Sequence, residues 1–211
     1  VYTAGLCLQA AGTAYTAPSI SAFVTGLSTI HVHFYVAVVL RKYSFLDFTA
    51  LSMAVVGLYV LTKPTGGLGV GELLVLASTV FWALQIIIIS KYAQSSLLEF
   101  LTGNFVVGAL YAPLALIYGF SLTSEILLYL AYLGIACSIC ATLFQVLGQR
   151  YVSATTASLV FLLEPVFATI FSVLMGLEGV DLYKITGGGL ILVSLYVTMI
   201  SEIKYRVHTS Q

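Results

Sequence analysis

Seven apolar runs of about twenty residues, each closed by a charge or a turn-forming residue, constrain this chain more than any other feature. They read as transmembrane helices over 19–40, 46–62, 71–90, 98–120, 125–147, 155–176 and 183–201, preceded by a shorter stub over 1–12. The breaks fall at Pro18, at Arg41-Lys42 and across 63–71, 91–96, 121–124, 149–154 and 177–182. Barrel strands would alternate in segments of about ten residues, whereas these runs are twice as long and apolar on every face. A soluble domain needs a charged exterior, and eight basic with eight acidic residues, 8% of the chain, cannot supply one. Mean hydropathy is +1.08, so the solvent expected for most of the surface is lipid. The fold class expected is all-α, a polytopic transmembrane bundle of seven full helices and a partial one. Net charge is zero, which leaves no basic stripe for phosphates and excludes nucleic acid as a natural partner.

Short connections make successive helices antiparallel. If the break at Arg41-Lys42 is cytoplasmic, that side carries Arg41, Lys42, Lys91, Arg150, Lys204 and Arg206, against Lys63 and Lys184 on the other. The positive-inside rule then places the carboxyl tail in the cytoplasm and the amino end outside. Two stretches also resemble each other: YTAPSISAFVTGL from Tyr15 and YVSATTASLVFLL from Tyr151 each open a long helix, and the following units end alike in Leu58-Tyr59-Val60 and Leu195-Tyr196-Val197. Five crossings separate the matched helices. An odd number implies an inverted repeat.

These residues resemble the drug/metabolite transporter superfamily, specifically EamA-type permeases of ten helices in two five-helix repeats. The likeness rests on GTAYTAPSISAFVTGLSTI (Gly12–Ile30), STVFWAL (Ser78–Leu84), YVSATTASLVFLLEPVFATIFSVLMGLE (Tyr151–Glu178) and GGGLILVSLYV (Gly187–Val197). It runs from the third family helix to the tenth, without the first two to three. The implied organisation is 1–62 as the latter part of a first repeat, 71–201 as the second and 202–211 as a cytoplasmic tail. The implied function is a secondary transporter in the cell membrane, of the bacterial inner-membrane kind, exporting small metabolites such as amino acids or drugs by alternating access. Departures are His33, where many members have proline, and Arg41-Lys42, where the first repeat usually has an acidic residue.

Glu164 is the one charged side chain near the middle of a span, where a charge costs about 2.5 to 3.5 kcal/mol unless it is paired, wetted or protonated. It is either a coupling or substrate-binding carboxylate or a packing residue bonded to a neighbour. Pro165 removes a backbone donor and frees the carbonyl of Phe161, which kinks the helix. Ser21, Thr25, Ser28, His31 and Tyr35 form one polar stripe, with Ser28 aligned to Glu164 in the repeat and His31 a better site candidate than His33. Ser78, Trp82 and Gln85 form a second stripe; Ser138, Thr142, Gln145 and Gln149 form a third, and Asn104 is a candidate to join the pocket they suggest. Such faces turn inward, as interhelical glue or as the lining of an aqueous pocket.

No catalytic residues, cofactor or metal site are expected. Cys137-x-x-Cys140 lacks further zinc ligands, Cys7 lies in an apolar run, and Gly66–Glu72 is not a nucleotide-binding loop. The partners expected are a small-molecule solute, the lipid bilayer and a proton or another coupling ion, with a homodimer as an open assembly state. Two rivals stand beside the transporter: a non-transporting truncated remnant or membrane assembly subunit, and a membrane-embedded enzyme. The enzyme would need a clustered nucleophile and base or a ligand set near one bilayer face.

Overall fold

The computed structural model describes residues 1–16, 18–63, 69–94, 97–110, 123–176 and 179–209, with side chains at 18–19 and 205–209 left aside. Every regular element among them is helical. The helices are α1 (Tyr2–Thr13), α2 (Pro18–Gly26), α3 (Ser28–Tyr35), α4 (Phe45–Thr62), α5 (Val70–Tyr92), α6 (Leu97–Leu110), α7 (Ser124–Tyr132), α8 (Ala141–Gly148), α9 (Ala154–Phe161), α10 (Leu163–Leu174) and α11 (Leu182–Thr209). π-helical turns extend α3 over Val36–Leu40 and join α7 to α8 over Leu133–Cys140.

Six of these stretches are long and apolar enough to cross a membrane: Ile20–Leu40, Phe45–Thr62, Val70–Tyr92, Ser124–Gly148, Ala154–Leu174 and Leu182–Lys204. The chain is a multi-pass membrane protein. The seventh run expected, 98–120, begins in α6, and its part over 111–120 lies outside the described residues. The residues expected to form a separate tail continue α11 as helix through Thr209.

Helix ends follow from local chemistry. Ser44 caps α4 by accepting from the Asp47 amide, while Asp47 answers on the Ser44 amide, a reciprocal capping box. Arg41 and Lys63 end their helices in the left-handed region, at φ 53° and 41°. Two long spans are interrupted: the first between α2 and α3 at Leu27, the second between α9 and α10 at Leu162. Pro165 explains the second, because its missing N–H and its ring disrupt the turn that precedes it. The first has no proline nearby.

Two glycine seams set how closely the helices approach. α4 and α11 form the most extensive helix pair. A Cβ on Gly57 would lie 2.8 Å from the Gly187 carbonyl oxygen, and one on Gly187 would lie 2.5 Å from the Leu61 nitrogen. Around this seam Ala50, Ala54, Leu58, Leu159, Leu162 and Ile191 form the main core. The second seam joins α1 to α5. In lipid, where apolar side chains gain little by leaving the solvent, such backbone-close packing is what holds helices together.

Candidate functional site

Trp82 stands at the middle of α5, hence near the centre of a membrane-spanning helix. Its indole Nε1 is buried without a hydrogen-bond partner, as are His31 Nδ1, His33 Nε2, Gln85 Oε1 and Asn104 Nδ2. Gln85 lies one turn along the same face of α5 and is 4% exposed. Its Nε2 donates to Gln145 Oε1 at 3.4 Å, so the second and third polar stripes meet. Gln145 then donates to Gln149 Oε1 at 3.0 Å, and Gln149 Nε2 donates to the Ile86 carbonyl at 2.9 Å and to Ser90 Oγ at 2.6 Å. A ladder of amides therefore runs between α5 and α8, from near mid-helix toward the Lys91 end.

The other expected residues gather less tightly. Tyr2 on α1 packs edge-on against both Trp82 and Phe105, each at 5.7 Å between ring centres, which brings Asn104, the neighbour of Phe105, to the same region. Val32, next to His31, packs with Ala83 and Ile86 of α5. Ser28 is buried at the start of α3. Glu164 occupies the first turn of α10, exposed, with no hydrogen bond or ion pair from the described residues. α10 packs against α4, α9 and α11, whereas the amide ladder lies between α5 and α8. His33, not favoured from sequence, is 1% exposed and shares its Nδ1 with the Tyr43 hydroxyl at 2.8 Å. Burial, with the nearby Asp47 charge, pushes the Tyr43 phenol up to about 12, so it remains a donor.

Sequence reasoning did not single out the carboxylates at the helix ends. Asp47 accepts from the Ser44 amide and hydroxyl at 2.9 and 2.8 Å and from Ser201 Oγ at 2.9 Å. Glu202 accepts from the Ser153 amide at 3.1 Å and from Thr156 Oγ1 at 2.5 Å, clamping the start of α9 to α11. Both line a cavity of about 790 Å³ among the ends of α3, α4, α5, α9 and α11, with the exposed Lys42, Lys91 and Lys204 around it. That volume suits a metabolite-sized molecule. Ser90, the last partner in the amide ladder, also lines it. Only the Ser44-x-x-Asp47 pattern carried a local sequence signal for this cluster. Among the described residues no group of three metal-binding side chains occurs.

The model of the EamA-like transporter family matches residues 69–200, more than half of the chain. The chain belongs to the EamA-like transporter family. An uncharacterized transporter of Archaeoglobus fulgidus is 26% identical over 199 residues. That alignment covers 92% of this chain and 64% of the relative, so the chain spans less than two-thirds of the relative's length. A solved crystal structure superposes with a TM-score of 0.79 at 18% identity, covering 96% of this chain and 74% of that one, which shows a shared fold. In this EamA-like chain the polar residues near the middle of the bundle thus belong to a membrane fold whose named relative is a transporter.

Proposed function

We propose that this protein is a secondary transporter that exports small polar or amphipathic metabolites, such as amino acids or drugs, by alternating access between inverted repeats. The observation that carries the reading is the set of buried, unpartnered polar atoms around the middle of α5: Trp82 Nε1, Gln85 Oε1, His31 Nδ1 and Asn104 Nδ2. A buried polar group without a partner costs about 1 to 3 kcal/mol, and in a lipid-solvated bundle no bulk water relieves it. The four lie on α3, α5 and α6, and each keeps a hydrogen-bonding capacity that a polar solute could satisfy. The set contains two obligate donors, an acceptor and a histidine of either role, and no formal charge. It suits an uncharged or zwitterionic solute.

In this reading 1–62 is the latter part of the first repeat, 71–201 is the second, and 202–211 lies on the cytoplasmic side of the cell membrane. The family match over 69–200 and the paired breaks at Leu27 and Leu162 support the division. Glu164 would sense the coupling proton or the solute as the repeats rock. The test is export of a labelled metabolite mixture from cells making the full open reading frame, against Trp82→Phe/Gln85→Leu at equal membrane abundance. Selective loss of a solute from wild-type cells, reduced at least about tenfold in the double variant, is the expected result, since removing two site contacts of about 1 kcal/mol each reaches that factor. Equal loss from both, or no loss from either, would overturn it.

A further inference from the structure

The two ends of α5 are built in opposite ways. Between Glu72 and Lys91 the helix rises roughly 28 Å at 1.5 Å per residue, about the thickness of a bilayer's hydrocarbon core. At the Lys91 end lies the 790 Å³ cavity. At the Glu72 end there is no room for a methyl group: a Cβ on Gly71 would lie 2.9 Å from the Gly12 carbonyl oxygen, and one on Gly12 would lie 2.6 Å from Val75 Cγ2. The contact continues inward along α1. A Cβ on Gly5 would meet Phe81 Cβ at 3.2 Å and the Trp82 ring at 3.4 Å. From the Glu72 end to mid-helix the α1–α5 interface is shut.

One charged bond crosses the outer end of this seam. Thr16 Oγ1, in the connection after α1, donates to Glu72 Oε1, while the Gly69 amide donates to Glu72 Oε2 at 2.8 Å. The second contact caps α5 itself; the first ties α5 to the α1–α2 connection. Beside it Thr13 and Ser21 share a hydrogen bond of 2.9 Å, and Gln9 donates to Thr25 Oγ1 at 3.2 Å, so α1 and α2 are joined as a unit. At Gly12 and Gly71 the two helices meet with no side chain on either glycine, so this end of the seam can part and close again as a surface.

We propose that the Glu72 end is the closed gate of the transport cycle, latched by the Thr16–Glu72 bond across the Gly12–Gly71 seam, and that the cavity at the Lys91 end is the open vestibule of the same state. The proposal rests on the transport reading given above. It assigns Thr16 and Glu72 as positioning residues that select a conformation without touching solute. Breaking the latch should shift the balance toward the state open at Glu72 and closed at Lys91.

The test uses the full-length protein with Cys7, Cys137 and Cys140 replaced by serine and one reporter at a time. Val75→Cys reports on the seam, where Val75 abuts Gly12 and is 0% exposed, and Ser90→Cys reports on the cavity. Thr16→Val keeps the side-chain shape and the Gly69 cap on Glu72. It should speed maleimide labelling of Val75→Cys by about tenfold and slow labelling of Ser90→Cys, with Thr16→Ser restoring both rates. Faster labelling at both sites would mean loosened packing only and would overturn the proposal, as would no change at either. If Thr16→Val does not accumulate, Thr16→Ala, which also removes the donor and leaves the Gly69 cap on Glu72, carries the same comparison. Solute flux with unmoved reporters sinks the gate alone. Opposed reporter shifts without flux of any solute sink the transport reading.

Discussion

Gln149 joins α5 to α8 by accepting from Gln145 and donating to the Ile86 carbonyl and Ser90 Oγ. Leucine in its place keeps the volume and strands the Gln145 amide. Gln149→Leu should destabilise the bundle by about 1 kcal/mol in reversible detergent unfolding, and Gln145→Leu should cost less in that background than alone. Glu164→Gln should flatten the pH dependence of solute flux with the protein still folded; a retained pH profile would remove this carboxylate from coupling. Outside the spans, Asp181 accepts from the Lys184 amide at 2.8 Å and from Lys63 Nζ at 3.2 Å, which holds its carboxyl below the usual range. A depressed value stabilises the folded state above the ordinary aspartate pKa of about 3.9, and that stability is lost as pH falls through the lower folded value. The pair is half exposed, so Asp181→Asn should leave thermal stability at neutral pH nearly unchanged. The polar stripes were legible because helical spacing repeats along the sequence. Their partners were not, since Gln85 meets Gln145 and Thr16 meets Glu72 across distances that no local pattern encodes.

At the scale of helices, the seams decide which pairs form. Gly187→Val would drive a branched side chain into the Leu61 backbone, where even a Cβ has 2.5 Å. Overpacking typically costs about 1 to 3 kcal/mol, and against backbone the neighbour cannot yield, so this variant should lose most of its monodisperse peak in fluorescence-detected size exclusion. Gly188→Ala, with its nearest neighbour 3.7 Å away, should keep that peak. Equal behaviour of the two would deny that the α4–α11 seam holds the bundle. Spans and breaks were readable because lipid demands apolar runs of fixed length and loops concentrate charge. The interruption at Leu162 was signalled by Pro165. The one at Leu27 was not, because the sequence there holds no residue that forbids helix.

Among the described residues, six apolar spans pack around an apolar core, with polar residues gathered between α5 and α8. On the transport reading proposed above, the charged cavity, the amide ladder and the unpartnered atoms near mid-helix would line one route for solute. Trp82 is the only tryptophan in the chain and would stand at the inner end of that route, so its emission reports the site directly. The decisive measurement is titration of the purified full-length protein, with Trp82 as its sole tryptophan, with a solute that the export assay has identified. A saturable change in Trp82 emission, weakened about tenfold in Gln85→Leu, is the predicted result. A carried solute that leaves the Trp82 emission unchanged would place binding elsewhere and contradict the account.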